Sequence, residues 1–310
     1  MLEFNRKFLP PVDEPVMVVP EIRRVTAGNP SPFTFRGTNT FLVGEDSLAV
    51  IDPGPADPAH IESLIRAIGG ARVAHILVTH THRDHSPGAR LLKARTGAPI
   101  LAAGPHRSAR QPRPGEEARL DAAADLDFAP DETLADGATI DGDGYRLVAV
   151  TTPGHTANHL AFAWPERDLI FSGDHVMGWS TTIVSPPDGS MADYMASLEK
   201  LAARPERLYL PAHGAEIEDG PGYVRGLKAH RKMREAAILE RLRRGDIAIP
   251  DIVARVYQGL DPELRIAAAL STLAHLEDLV ARGVVESGGP PSLEARYRLA
   301  DAAPAAPGSG

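Results

Sequence analysis

Apolar residues in this chain come in short runs, each closed by glycine, proline or a small polar residue, and the rhythm repeats through its first two thirds. Runs of this kind predict strands. Phe41-Leu42-Val43 before Gly44 and Leu48-Ala49-Val50-Ile51 before Asp52-Pro53-Gly54 predict the two arms of a hairpin. From Pro58 to Ile68 the period changes: Ile61, Leu64, Ile65 and Ile68 share one face of a helix. A strand at Ala74 to Thr79 and a helix from Ala89 follow. Further strands are predicted at Tyr145 to Val150, Asp168 to Ile170 and Leu208 to Leu210. The first 20 residues carry four prolines and read as an extended lead, and residues 104–130 as an exposed excursion. The alternation predicts an α/β (α+β) fold of two packed sheets with helices outside, occupying residues 1–218.

The pattern changes at Asp219-Gly220-Pro221-Gly222. A proline near the first helical position opens a helix running to about Arg244, with Val224, Leu227, Ile238 and Leu242 on one face. The helix is basic, and Arg231 and Arg234 fall on the apolar side. Buried arginines are usually paired, so an ion pair between the two domains is expected first, and anion binding toward a substrate second. A short helix at Ile249 to Tyr257, a longer one from Glu263 to about Arg282 closed by Gly283, and two short strands around Gly288-Gly289-Pro290-Pro291 form a winged-helix-like pattern over 219–300. Its second helix has few basic residues, which argues against sequence-specific DNA reading and for a packing or homodimer-contact role. Residues 301–310, rich in Ala, Pro and Gly, read as a disordered tail.

Composition narrows the field modestly. With no cysteine, disulfides and thiolate metal sites are excluded, and a reducing, cytoplasmic setting fits. A net charge of −8 disfavours general binding to polyanions. Neither a membrane-spanning run nor a secretory leader is expected. Arginine exceeds lysine 28 to 5, which suggests a GC-rich bacterial source.

The chemistry concentrates in His80-Thr81-His82-Arg83-Asp84-His85, four metal-ligating side chains directly after a predicted strand. Imidazole with carboxylate suits a borderline cation such as zinc. His80 and His82, two apart on an extended end, share one side. Asp84 and His85 lie past the turn and can address a second position, so the spacing suggests two metals. His155, Asp174 and His213 each follow another short apolar run and adjoin glycine or proline.

The order H-x-H-x-D-H, then His, Asp and His, resembles the metallo-β-lactamase superfamily. That resemblance implies a four-layer αβ/βα sandwich over roughly residues 15–218. It implies His80, His82 and His155 on one metal, Asp84, His85 and His213 on a second, and Asp174 bridging both. The implied cofactor is two Zn2+, with Mn2+ or Fe2+ suited to the same donors. The implied reaction is attack on an ester-type bond by a metal-bridging hydroxide, in which Asp84 and Asp174 act through the metals. Asp174 and the absence of cysteine point away from the dedicated lactamases and toward thioesterases, lactonases and phosphodiesterases.

Motifs along nearly the whole chain narrow the resemblance. Asn29-Pro30-Ser31-Pro32-Phe33-Thr34, Pro153-Gly154-His155-Thr156, Phe171-Ser172-Gly173-Asp174-His175, the run from Asp193 to Leu201, and His230 to Glu235 resemble the β-lactamase-like protein 2 family. That family joins such a hydrolase domain to a C-terminal winged helix and includes an endoribonuclease that cuts single-stranded RNA. Asn39, Thr181 and Thr182 become substrate-contact candidates by this resemblance. Asp52 is either the partner that fixes a ligand histidine or a turn residue before Pro53-Gly54. His159 is a candidate pocket residue, and His175 reads as structural. A single-stranded RNA or a small thioester or lactone is the expected substrate. The competing readings are a mononuclear iron dioxygenase of the same superfamily and an incidental β-lactam hydrolase.

Overall fold

The computed structural model describes residues 2–116 and 123–301. The expected disordered tail, apart from Asp301, lies outside the described residues.

Strands β1 (Pro15–Val19), β2 (Ile22–Thr26), β3 (Asn39–Val43), β4 (Ser47–Ile51), β5 (Arg72–Leu77), β6 (Ile100–Ala102) and β7 (Glu132–Thr133) form one sheet in chain order. A second sheet is ordered β12 (Leu208–Pro211), β11 (Leu169–Gly173), β10 (Leu160–Trp164), β9 (Tyr145–Thr151) and β8 (Thr139–Gly142). The expected hairpin is β3 with β4, registered Phe41 to Ile51 and Val43 to Ala49. The N-terminal lead departs from expectation by forming β1 and pairing with β2. Its prolines flank the Val16–Val19 run or open it, and β1 is an edge strand, where a missing N–H is tolerated.

The two-residue period of these strands builds the layers. Phe41, Val43, Ala49 and Ile51 on one sheet face Leu147, Ala149, Leu160, Phe162, Leu169, Phe171 and Leu210 on the other in one buried cluster. Their chain neighbours Leu42, Leu48 and Val50 turn the opposite way, against α1 (Pro58–Ile68) and α2 (Pro87–Thr96). On the far side of the second sheet, the Tyr209 hydroxyl donates to Leu201 O in α3 (Met191–Ala202) at 3.3 Å. Helix, sheet, sheet and helix are therefore the four layers. α1 starts where the Asp57 carboxylate accepts from Ala59 N and Pro58 occupies the first turn; it stops at Gly69, which takes φ 67°.

The C-terminal part contains α5 (Ile249–Val256), a 3-10 turn (Pro262–Leu264), α6 (Arg265–Ala281) and a two-stranded wing of β13 (Val285–Ser287) with β14 (Tyr297–Leu299). Leu273, Leu276 and Leu279 of α6 are buried with Ile252, Val285 and Tyr297. The 3-10 start explains why α6 begins later than periodicity suggests. By internal contacts the chain divides into 1–230 and 231–310. The compositional break at 219 instead marks the start of α4 (Gly220–Arg243), a continuous helix that contributes to both units.

Phe171, 1% exposed between the sheets, tests this packing. Phe171→Ala should lower the unfolding free energy by about 3–5 kcal/mol, read as a lower urea midpoint at unchanged slope. A loss below about 1 kcal/mol would contradict an intersheet core of this density.

Candidate metal centre

Four turns past strand ends carry the seven candidate residues: His80 to His85 after β5, His155 after β9, Asp174 at the end of β11 and His213 after β12. The structure brings all seven together. His80, His82 and His155 converge, as do Asp84, His85 and His213, and Asp174 stands with His80 and His85 in a third group; within each group the ligand atoms lie within 4.8 Å of one another. His82 Nδ1 is 3.1 Å from His80 Nε2 and 3.0 Å from His155 Nε2. Asp84 Oδ2 is 3.2 Å from both His85 Nε2 and His213 Nε2. Asp174 lies between the trios: its Oδ2 is 3.7 Å from His85 Nε2 and 3.7 Å from His155 Nε2, and its Oδ1 is 3.4 Å from His213 Nε2.

The outward ring nitrogens explain why the inward ones can bind a cation. His155 Nδ1 donates to Ile183 O at 2.7 Å, His213 Nδ1 to Gly37 O at 3.1 Å, His82 Nε2 to Asp188 Oδ2 at 3.0 Å and His85 Nδ1 to Asp52 Oδ2 at 3.0 Å. Thr79 Oγ1 gives its own hydrogen to Asp52 Oδ2, so at 3.0 Å it accepts from His80 Nδ1. With each outer nitrogen acting as donor, a neutral ring turns a lone pair inward. With His82 Nδ1 at 3.1 Å from His80 Nε2 and 3.0 Å from His155 Nε2, such lone pairs repel one another unless positive charge lies among them. His85 Nε2 and Asp174 Oδ1 are buried and make no hydrogen bond. The donor set therefore fits divalent cations bound by nitrogen and oxygen.

The titration directions follow the same division. Burial, reinforced by the neighbouring histidines, holds His80 well below the usual imidazole value and pushes His155 down to about 4. At His85 and His213 burial acts downward too, but the carboxylates of Asp84 and Asp174 overcome it, raising His85 well above its ordinary value and His213 to about 10. Burial pushes Asp84 and Asp174 up, and the same histidines overcome that and hold both well below the carboxylate range. Without a metal, the second trio draws its positive charge from ring protons. A metal must displace them.

The remaining sequence candidates separate by what their polar atoms touch. Asp52 Oδ1 accepts from Thr79 N at 2.7 Å, while its Oδ2 receives the Thr79 hydroxyl and His85. It also has φ 49°, so partner and turn residue describe the same side chain. His159 does not line an open pocket. It is 1% exposed; its Nε2 accepts from Asp174 N at 3.2 Å and its Nδ1 donates to Thr152 Oγ1 at 2.8 Å. A side chain at Gly173 would meet the His159 ring at 2.5 Å, so glycine lets the ring reach the Asp174 backbone. Asn39 is likewise internal: its amide donates to Pro211 O and Gly214 O, bracing the His213 turn. The Thr182 hydroxyl donates to Asp174 O at 2.6 Å. Asn39 and Thr182 therefore support ligand loops instead of presenting free groups to a substrate, whereas Thr181 is partly exposed. His175 is fully buried beside Tyr194.

Arg231 is buried at 3% exposure. Arg234 donates to Val256 O at 2.8 Å and lies over the Tyr257 ring, so these partners are a carbonyl and an aromatic face within the C-terminal unit. Sequence reasoning missed Asp188 and the carbonyls of Ile183 and Gly37. Pro186-Pro187-Asp188-Gly189 reads simply as a turn, and nothing in its pattern marks a histidine partner. Gly189 permits the arrangement: a Cβ there would stand 2.6 Å from His155 O.

Comparison with known proteins agrees with this geometry. Residues 33–213 match the family model of the metallo-beta-lactamase superfamily. The chain belongs to this superfamily. Residues 248–290 match the beta-lactamase associated winged helix domain, which accounts for the C-terminal pattern. Among relatives, the "Lactamase-like protein adaB" of Aspergillus niger is 29% identical over 276 residues, covering 84% of this chain and 80% of that protein. The "Atrochrysone carboxyl ACP thioesterase" of Aspergillus chevalieri is 30% identical over 277 residues, covering 84% and 81%. A metallo-beta-lactamase family protein of Thermus thermophilus superposes with a TM-score of 0.74 at 25% identity, over 91% of this chain and 99% of that one. A beta-lactamase domain protein of Burkholderia ambifaria shares the fold at a TM-score of 0.78, 22% identity and 95% and 96% coverage. The two curated relatives are fungal, so they lend no support to the bacterial source that the arginine bias suggests. Among the described residues no helix is long and apolar enough to cross a membrane.

Proton displacement gives this metallo-β-lactamase-type site a measurable signature. Because His213 titrates near 10, cation binding at neutral pH should release protons, and affinity should rise with pH toward that value. Calorimetric titration in two buffers of different ionisation enthalpy should give different apparent heats. Equal heats in both would contradict protonated histidines in the metal-free site. The sign for stability is the reverse. In metal-free protein the His213 contribution is fully present below the unfolded value near 6.5 and is lost as pH rises through about 10.

Proposed function

We propose that this protein is a zinc-dependent hydrolase holding two metal ions and acting on a thioester. The observation that carries the hydrolase reading is the pair of inward-facing trios with Asp174 between them. A relative supports the thioester reading: the thioesterase named above is 30% identical over 84% of this chain. A net charge of −8 disfavours RNA as the substrate.

His80, His82 and His155 would hold one cation and Asp84, His85 and His213 the other, with Asp174 reaching both. When bound, two such cations supply polarisation of a carbonyl oxygen and a water made acidic enough to attack at neutral pH. The chain's part is to fix the donors. Asp52 and Asp188 hold His85 and His82 by their outer nitrogens, and the carbonyls of Ile183 and Gly37 hold His155 and His213. The His159 ring and Thr182 hydroxyl hold the Asp174 backbone from its N–H and its carbonyl. In the overall reaction water adds at the thioester carbonyl, the C–S bond breaks, and a carboxylic acid and a thiol leave. No side-chain nucleophile is required.

The test offers zinc-loaded protein an acyl-pantetheine thioester and, separately, a labelled single-stranded RNA. Thiol release should be seen with the thioester, and Asp174→Ala should lower kcat/KM by on the order of 100-fold or more. RNA cleavage lost in Asp174→Ala, with no thioester turnover, would replace the thioester reading with a phosphodiesterase one.

A further inference from the structure

Each trio has one histidine anchored to a carboxylate, but the two carboxylates are held differently. Asp52 is fixed on both oxygens by Thr79. Asp188 sits on a loop. Its Oδ2 receives His82, and its Oδ1 is buried with no hydrogen bond. Facing that oxygen at 3.8 Å is His106 Nε2, also buried and without a hydrogen bond. The two side chains are only 5% and 8% exposed.

The ring proton of His106 can be placed. Asn158 Nδ2 donates to Thr81 Oγ1 at 3.0 Å, and His106 Nδ1 lies 2.9 Å from the same hydroxyl. Among the described hydrogen bonds, His106 Nδ1 is the acceptor left for the Thr81 hydrogen. Burial keeps the His106 ring below its ordinary value despite Asp188. The single proton of a neutral ring then sits on Nε2, the ring nitrogen 3.8 Å from Asp188 Oδ1. Ala109 N, three residues on, donates to Pro187 O at 2.9 Å and ties the His106 segment to the Asp188 loop. His82 depends most on such an anchor, because it alone among the five inward histidines presents Nδ1 and its side chain is the most exposed, at 18%.

We propose that His106 is a positioning residue for the metal centre, acting through Asp188 to fix the orientation of His82 and so the affinity of the first trio. The proposal rests on the metal-binding reading above. It assigns a role to a histidine that no motif in the sequence singles out.

Cobalt serves as the probe, because its visible absorption reports ligand geometry and its binding needs no substrate. Metal-free wild type is titrated beside Asp188→Asn, His106→Ala, His106→Gln and the His106→Ala/Asp188→Asn double variant, with circular dichroism confirming the fold of each. Asp188→Asn should weaken one of the two binding steps by about 10–100-fold. His106→Ala should weaken the same step by a smaller factor and alter the cobalt bands. His106→Gln, which keeps an N–H toward Asp188, should recover most of the loss. In the double variant the two losses should not multiply, since one acts through the other. Wild-type affinity and bands in His106→Ala would overturn the proposal, as would multiplying losses. Failure of wild type itself to bind cobalt would overturn the metal-binding reading and this proposal with it.

Discussion

The centre of this protein is organised by a demand for positive charge. Five imidazoles and two carboxylates aim their acceptor atoms into one small volume at the ends of two sheets. Apolar layers beneath supply the rigidity that keeps these groups from separating, and turns past strand ends supply the reach. In the second trio ring protons can supply the charge, and in the first no more than the His82 ring does so, because His80 and His155 are held neutral. Divalent cations would satisfy both trios together.

That demand accounts for features remote from the ligands. Asn39, Thr79, His159 and Thr182 are buried polar residues whose hydrogen bonds reach a ligand or the backbone that carries one. Each would be costly in the interior if unpaired. Here their bonds fix the turns that present His213, His80 and Asp174. Thr181, by contrast, is partly exposed.

Much of this was legible in the sequence because the relevant signals are local. The H-x-H-x-D-H run needs no tertiary knowledge to read as a ligand cluster, and the apolar runs before His155, Asp174 and His213 mark strand ends by composition alone. The two-residue alternation gives the layers, and the C-terminal leucine period gives α6. What was not legible depends on side chains meeting across long chain distances. Asp188 reaches His82 over 106 residues from an ordinary-looking turn. The inward direction of Asn39 and Thr182 is set by which carbonyl each one meets, which no spacing reveals. The edge strand β1 was hidden by prolines that bound its valine run without interrupting it.

The most direct measurement is the metal content of the purified protein after zinc loading and exhaustive dialysis, for wild type and Asp174→Ala. The arrangement of the two trios around Asp174 predicts two zinc ions per chain in wild type and fewer in the variant. A wild-type ratio of one or none, or a ratio of two that survives loss of Asp174, would contradict a paired centre held together by that carboxylate.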